Sequence, residues 1–302
     1  MKKLLFVFNP HSGKARIKNH LLDIIDIFNK AGFEVTTYTT QYPLHAKEIV
    51  ESRGSEYDLI VCSGGDGTLN EVVSGIIHLD QNPCLGYIPA GSTNDFAASI
   101  GLPKSMKACA EIAVTGASTY CDIGQFNERY FTYVAAFGVF TAVTYMTSQQ
   151  SKNLLGHQAY IIEGVKQLAN IKPVRMKIEG DFGVVEDEFL FGMVSNSTSI
   201  GGFKGLPGKN VDLKDGVFET MFIRNPKTPI DLTTIVTSLI ARNPDPDLIY
   251  TFKTSSITIT SDQPVSWTLD GEYGGEQTVC HINNCHEIIQ IKTKKMQKDL
   301  PE

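Results

Sequence analysis

The chain has 302 residues, 42% of them hydrophobic and 20% charged. That composition is globular. It excludes disorder, collagen and coiled coil as the main architecture, and the length predicts two domains. Lysine and arginine number 27 against 33 acidic residues, a formal charge of −6 that argues against general nucleic-acid binding. The most apolar stretch, Phe131 to Val143, carries Thr132 and Thr141 and falls short of the roughly 20 residues a spanning helix needs. The N-terminal apolar run Leu4 to Phe8 stops at Asn9-Pro10, too soon for a secretory signal. The expectation is a cytoplasmic protein.

The first 125 residues alternate strand and helix patterns. Leu4 to Phe8 is an all-apolar strand, as in a sheet covered on both faces. Leu21, Ile24, Ile25 and Phe28 recur at helical spacing, and Gly32 closes that helix. Phe33 to Thr40 is a β-branched strand, His45 to Arg53 a helix ended by Gly54, and Leu59 to Cys62 a buried strand. Leu69 to Leu79 is a helix, Cys84 to Ile88 a strand, and Phe96 to Ile100 starts another helix. This alternation predicts an α/β, doubly wound parallel sheet, whose ligands sit beyond the carboxyl ends of the strands.

The pattern changes near residue 121. Strands are predicted at Arg129 to Tyr133, Arg175 to Glu179, Phe189 to Ser195 and Phe218 to Ile223. Further strands follow at Ser256 to Thr260, Val265 to Leu269, Thr278 to Ile282 and Glu287 to Lys292. Helices are expected at Thr147 to Ala169 and Ile230 to Ala241. The reading is an α/β domain over 1–124, a mainly antiparallel β domain over 125–292, and a basic tail over 293–302 that packs back on the first domain or frays. The six cysteines show no CxxC spacing and are read as buried, reduced thiols. Asn283-Asn284 predicts a hairpin turn that sets His281 opposite His286, with Cys280 and Cys285 on the other register. Those four side chains do not converge on one zinc.

Three turns that follow strands carry the chemistry. Ser63-Gly64-Gly65-Asp66-Gly67-Thr68-Leu69-Asn70-Glu71 ends a strand and opens a helix. Its glycines let backbone N–H groups approach a phosphate, and its acid calls for a bridging Mg²⁺. It matches neither the dinucleotide fingerprint nor the P-loop. Thr68 and Glu71 also have capping-box spacing. Pro89-Ala90-Gly91-Ser92-Thr93-Asn94-Asp95-Phe96 repeats the logic, with Ser92, Thr93 and Asn94 able to cap a helix and Asp95 a second carboxylate. Asn9-Pro10-His11-Ser12-Gly13-Lys14 offers amide, hydroxyl and ammonium groups to a phosphate. In the second domain, Asp270-Gly271-Glu272 reads on its own as an Asp-Gly turn with two carboxylates beside the glycine, whereas Asp212-Leu213-Lys214-Asp215-Gly216-Val217 reads equally as a turn or as a site for a hard cation.

In that order these segments resemble the diacylglycerol kinase catalytic family, and in particular its bacterial lipid kinases, over nearly the whole chain. Ser92-Thr93 departs from the Thr-Gly of many members but keeps a hydroxyl at 92. The resemblance implies that Asn9, Pro10, Ser12, Gly13, Lys14, Thr39, Gly64, Gly65, Asp66, Gly67, Thr68, Glu71 and Ser92 hold ATP. It implies that Asp66 and Asp95 organise a catalytic Mg²⁺, and that Asp212, Asp215 and the Val217 carbonyl bind a structural one. Asp270 would be the general base for a lipid hydroxyl, with Glu272 the alternative. ATP and acceptor would meet in a cleft between the domains.

The implied activity is transfer of the ATP γ-phosphoryl group to diacylglycerol, giving phosphatidic acid. The alternatives are another lipid alcohol, NAD as acceptor, or a nucleotide sensor without turnover. A lipid substrate implies peripheral, transient contact with an anionic membrane, and the family resemblance also implies a homodimer. Ser151 to Lys177, with five cations against Glu163 alone, is the stretch expected to dock on lipid or to cover the β domain.

Overall fold

The computed structural model describes residues 1–138, 172–200, 203–204 and 211–294. The chain divides into two compact units, Met1–Ile123 with His286–Glu302, and Gly124–Cys285.

The first unit is built on parallel strands β1 (Lys2–Phe8), β2 (Phe33–Thr39), β3 (Leu59–Gly64) and β4 (Cys84–Pro89), in the order β4-β3-β1-β2. Central position explains the unbroken apolar runs of β1 and β3, which bury Leu4 to Val7 and Leu59 to Cys62 from both sides. β2 lies at the edge and alternates half-buried with exposed residues. A single turn α1 (Ser12–Ala15) follows β1, and α2 (Leu21–Lys30) lays Ile24 and Phe28 on the sheet. The Phe28 ring meets Phe6 edge-on at 5.4 Å. α3 (His45–Arg53), α4 (Asp66–Ile77), α5 (Asp95–Ser99) and α6 (Met106–Thr115) complete the helices described for this unit.

The differences from the sequence reading have local causes. α3 ends at Arg53 with Gly54 as its C-cap, as expected, and Gly54 then starts a 3₁₀ turn at φ −55°. α4 begins three residues early, with Gly65 as its N-cap, so Thr68 lies inside the helix and no capping box with Glu71 forms. α6 shows only a weak apolar stripe because, apart from Met106, it packs through the small side chains of Cys109, Ala110 and Ala113. Ser105 caps it by accepting from Ala108 N. Strand β5 (Ala117–Phe126) runs through the point where the pattern changes.

The second unit is antiparallel. Its strands are β6 (Arg129–Phe131), β7 (Val134–Gly138), β8 (Val174–Gly180), β9 (Gly183–Ser195), β10 (Ser199–Ile200) and β11 (Phe203–Lys204). They are followed by β12 (Phe218–Arg224), β13 (Ile249–Thr254), β14 (Ser256–Leu269) and β15 (Glu272–Thr293). The main path runs β13-β12-β9-β7-β14-β15, with β8 joining β14 and β9. Phe131, Phe189, Phe218, Phe222 and Trp267 fill the core. Helix α7 (Pro229–Ala241) opens on a capping box between Thr228 and Asp231 and packs Ile235 and Leu239 against Met193, Met221 and Ile223.

Two pairs of expected strands are single strands. In β14 the polar residues between Thr260 and Val265 make a register shift rather than a turn. In β15 the expected hairpin at Asn283-Asn284 is absent: Asn283 pairs with Ser256, and Asn284 N donates to Ser255 O at 2.8 Å. The two histidines thus stand on one strand. His281 Nδ1 lies 3.2 Å from Thr258 Oγ1, and His286 Nδ1 lies 3.0 Å from the buried Asp122 carboxylate. All six cysteines are thiols, and burial pushes Cys109 up to about 11 and Cys280 up to about 12.

The expected helix at Thr147 to Ala169 lies outside the described residues. So does most of the proposed docking stretch. Its described end forms β8, where Arg175 pairs with Glu186 at 2.9 Å and Lys177 with Glu179 at 2.8 Å. Among the described residues no helix is long and apolar enough to cross a membrane.

Candidate active site

Three loops gather at the carboxyl ends of β1, β3 and β4. The ladders continue into them: Asn9 N donates to Ser63 O at 2.9 Å, and Ala90 N donates to Gly64 O at 2.8 Å. The Asn9 side chain turns the first loop by accepting from His11 N at 2.9 Å. Gly13, Lys14 and Ala15 are then left-handed in succession, at φ 53°, 64° and 58°. A Cβ on Gly13 would lie 1.7 Å from the Ala90 carbonyl oxygen, so the first loop rests directly on the third. The second and third loops also touch through glycines, since a Cβ on Gly91 would lie 2.6 Å from Gly65 Cα. Ser12 Oγ sits 3.6 Å from the place a Gly65 Cβ would take. The result is a set of closely packed, glycine-rich loops with Lys14 and Ser92 exposed on them, a cradle for a phosphate. Pro10 is half-buried in the first loop, Gly67 lies in the first turn of α4, and Thr39 is exposed at the end of β2, where its Oγ1 accepts from Gln41 Nε2 at 2.8 Å.

Asp66 and Asp95 open α4 and α5, at the N-terminal ends where unpaired N–H groups favour a negative charge. Asp66 Oδ2 accepts from Asp95 N at 3.3 Å, which brings the two helix starts together. Asp95 is 1% exposed. Two neighbouring carboxylates, one of them buried, form an all-oxygen donor set that fits a hard divalent cation. The loop that carries Asp95 is braced by Tyr87, a residue the sequence reading passed over. Its hydroxyl donates to Gly64 O at 3.2 Å and to Asn94 Oδ1 at 3.5 Å. Burial, and then the charge of Asp66, hold that hydroxyl well above its ordinary pKa. Asn94 holds the N-cap position of α5, but its side chain donates back to Gly91 O at 2.8 Å instead of capping the helix.

Glu71 points elsewhere. Its carboxylate accepts from Leu44 N at 2.9 Å and from Ala46 N at 3.1 Å. It thereby caps α3 from α4 and holds Leu44 in a left-handed conformation at φ 68°. Glu71→Ala leaves those two N–H groups without their charged acceptor. A loss of about 1–2 kcal/mol is expected, and melting curves of the purified variant check it.

In the second unit the Asp270 carboxylate is 6% exposed and faces the connection between β6 and β7. Thr132 N and Oγ1 donate to Oδ2 at 2.6 and 2.9 Å; Tyr133 N and Val134 N donate to Oδ1 at 2.9 and 3.1 Å. Glu272 is exposed, two residues further on.

The Asp212–Val217 loop is closed by its own amides. Lys214 N donates to Asp212 Oδ1 at 3.3 Å, and Val217 N donates to Asp215 Oδ1 at 3.2 Å. Lys253 Nζ stands 3.3 Å from Asp215 Oδ2 and 3.0 Å from Glu219 Oε1. An ammonium thus already faces the carboxylates there, and the sequence reading missed both Glu219 and Lys253. The donors are still oxygens, the set a hard cation takes, but such an ion would share Asp215 with Lys253.

Burial raises the Glu219 carboxyl above its ordinary value, with Lys253 opposing. The folded chain therefore holds that proton more tightly than the unfolded chain. The group supports folding at low pH and costs stability as pH climbs past the ordinary carboxylate range. Lys253→Met should enlarge that cost to about 1–3 kcal/mol at neutral pH. The deficit should shrink on acidification, which melting curves at about pH 5 and about pH 7.5 would resolve.

A sequence model of the diacylglycerol kinase catalytic domain matches residues 3–126, which hold all three cradle loops. The diacylglycerol kinase of Bacillus subtilis (strain 168) is 33% identical over 306 residues, covering 100% of each chain. The diacylglycerol kinase of Staphylococcus epidermidis is 36% identical over 297 residues, covering 97% of this chain and 93% of its own. The crystal structure of a diacylglycerol kinase from Bacillus anthracis shares the fold, with a TM-score of 0.76 at 22% identity over 97% of each chain. Identity of this order from end to end takes in the β-rich half and its Asp270-Gly271-Glu272 turn as well as the cradle, and the chain belongs to the diacylglycerol kinase family.

Proposed function

We propose that the enzyme transfers the γ-phosphoryl group of ATP to the hydroxyl of diacylglycerol, giving phosphatidic acid. As a member of its family it is an ATP-dependent lipid kinase acting on an alcohol group; diacylglycerol is the acceptor in the names its full-length relatives carry. The observation that carries the reading is the close packing of the three loops at Gly13 and Gly91, which brings their backbones together with little side-chain bulk between them, a lining suited to a polyphosphate.

Phosphoryl transfer needs positioning and charge neutralisation more than covalent chemistry. The loops Asn9–Lys14, Gly64–Thr68 and Gly91–Ser92 would hold the phosphates through amides, the Ser12 and Ser92 hydroxyls and the Lys14 ammonium. Asp66 and Asp95 would hold Mg²⁺, which supplies positive charge against the transferring oxygens when bound. A carboxylate of the Asp270-Gly271-Glu272 turn would take the proton of the acceptor hydroxyl. With its substrate in a bilayer, the enzyme would work in transient contact with an anionic membrane surface.

The test is ATP turnover with purified enzyme and Mg²⁺ against vesicles containing diacylglycerol, other lipid alcohols, or NAD in solution. Phosphatidic acid as the main product is expected. Product from NAD alone, or tight ATP binding with no product from any acceptor, would overturn the proposal.

A further inference from the structure

We infer that Tyr87 is a positioning residue for phosphoryl transfer: its buried hydroxyl fixes the direction of the Gly64–Gly65 peptide and the pose of Asn94, and through them the Gly65 N–H and the start of α5 at Asp95. The inference rests on the lipid kinase reading and adds to it a residue that lies outside the three loops.

Tyr87 stands on β4 beside Cys62 of β3 and is fully buried. An apolar side chain would fill that space without a polar group to satisfy. A buried tyrosine needs an acceptor for its hydroxyl, and both acceptors here belong to the site. Gly64 O lies at 3.2 Å and Asn94 Oδ1 at 3.5 Å. The Asn94 amide is oriented by its other end, because Nδ2 donates to Gly91 O at 2.8 Å. Its Oδ1 is thus the atom left to face the phenol.

Gly64 O is the meeting point of three donors. Ala90 N reaches it at 2.8 Å and Gly91 N at 3.2 Å, beside the Tyr87 hydroxyl. All three come from β4 or from the loop that follows it. A trans peptide points its N–H opposite to its C=O. With Gly64 O held toward β4, the Gly65 N–H turns to the β1 side, where the loop Asn9–Lys14 runs. Ser12 Oγ borders the same space, 3.6 Å from the place a Gly65 Cβ would take. An N–H fixed in that direction is a preorganised donor for a phosphate oxygen.

The second contact acts on the carboxylate pair. Asn94 is left-handed at φ 54°, and the chain enters α5 directly after it. Asp95 N then meets Asp66 Oδ2 at 3.3 Å. The side-chain bonds of Asn94 to Gly91 and Tyr87 hold that entry in place. One phenol therefore braces both the phosphate-facing peptide and the residue before Asp95, without itself reaching substrate.

The experiment compares the wild-type enzyme with Tyr87→Phe, which keeps the ring and removes only the hydroxyl. Ile24→Val, a core truncation on α2 in the same unit, is the stability control. Each protein is measured by calorimetry with ATP and Mg²⁺, by kinetics on diacylglycerol vesicles across a Mg²⁺ series, and by melting curves. Tyr87→Phe should weaken ATP binding and raise the KM for ATP about fivefold, the scale of one hydrogen bond. It should also lower kcat severalfold and move the Mg²⁺ midpoint upward. Ile24→Val should melt lower yet keep wild-type ATP affinity, kcat and Mg²⁺ midpoint. Tyr87→Phe with all three at wild-type values would overturn the inference, whatever its melting temperature. So would an equal loss of ATP affinity in Ile24→Val, because binding would then follow stability alone. If the wild-type enzyme binds ATP but phosphorylates no lipid alcohol, the lipid kinase reading fails, and the calorimetry still decides the role of Tyr87.

Discussion

Gly13→Ala should leave a protein that neither binds ATP measurably nor turns it over. The new methyl group would sit 1.7 Å from a backbone carbonyl oxygen, that of Ala90, in a residue at φ 53°. A flexible side chain could move aside, but a carbonyl held beside the β3–β4 ladder cannot do so alone. Either the first loop lifts off the third or β4 shifts with it. The first outcome opens the cradle, and the second disturbs the Asp95 loop that β4 feeds. Left-handed strain costs about 1 kcal/mol for a residue with a Cβ, and the steric term adds to it. We expect the melting temperature to fall by several degrees and titration calorimetry with ATP to show no heat of binding. A variant that keeps wild-type ATP affinity would show that the first loop does not form the phosphate cradle.

Asp66→Asn should be nearly isosteric and folded, yet lower kcat by about 1,000-fold or more, the scale of losing a preorganised charge at a phosphoryl-transfer site. An asparagine oxygen can still accept from Asp95 N, so the junction between α4 and α5 survives. What goes is the negative charge that, with Asp95, makes the pair a site for a divalent cation. Steady-state kinetics across a Mg²⁺ series and a melting curve separate the two effects. Undiminished kcat at ordinary Mg²⁺ would remove Asp66 from the machinery.

How far these features can be read from the sequence depends on whether their cause lies in side chains or in backbone. The buried strands β1 and β3 are legible because burial on both faces demands unbroken apolar runs. The cradle is legible because close approach of two backbones leaves no choice but glycine at 13 and 91. α6 is hidden because, beyond Met106, its contacts are made by alanines and a cysteine, which carry little periodic signal. β14 and β15 look broken because Ser261-Asp262-Gln263-Pro264 and Asn283-Asn284 have turn composition, which a register shift or an edge position can absorb. Thr68 and Glu71 have capping-box spacing, but the helix starts at Asp66 and the glutamate serves a different helix. The donors that surround Asp270 are mostly backbone amides, which any sequence supplies and which no motif can therefore announce.

The first unit is assembled from two stretches of chain separated by the whole of the second. Its β4 edge receives Ile291 as the parallel partner of Leu85, and Asn82 Nδ2 donates to Ile288 O at 2.5 Å. During synthesis, residues 1–123 leave the ribosome with that edge bare, and it stays bare until Ile288 to Ile291 emerge. A naked strand edge is a template for pairing with other chains. Each nascent molecule therefore passes through a window of vulnerability to aggregation as long as translation of the intervening segment. A shortened gene product that ends before Ile288 would never leave that window, even though it would carry the entire ATP cradle.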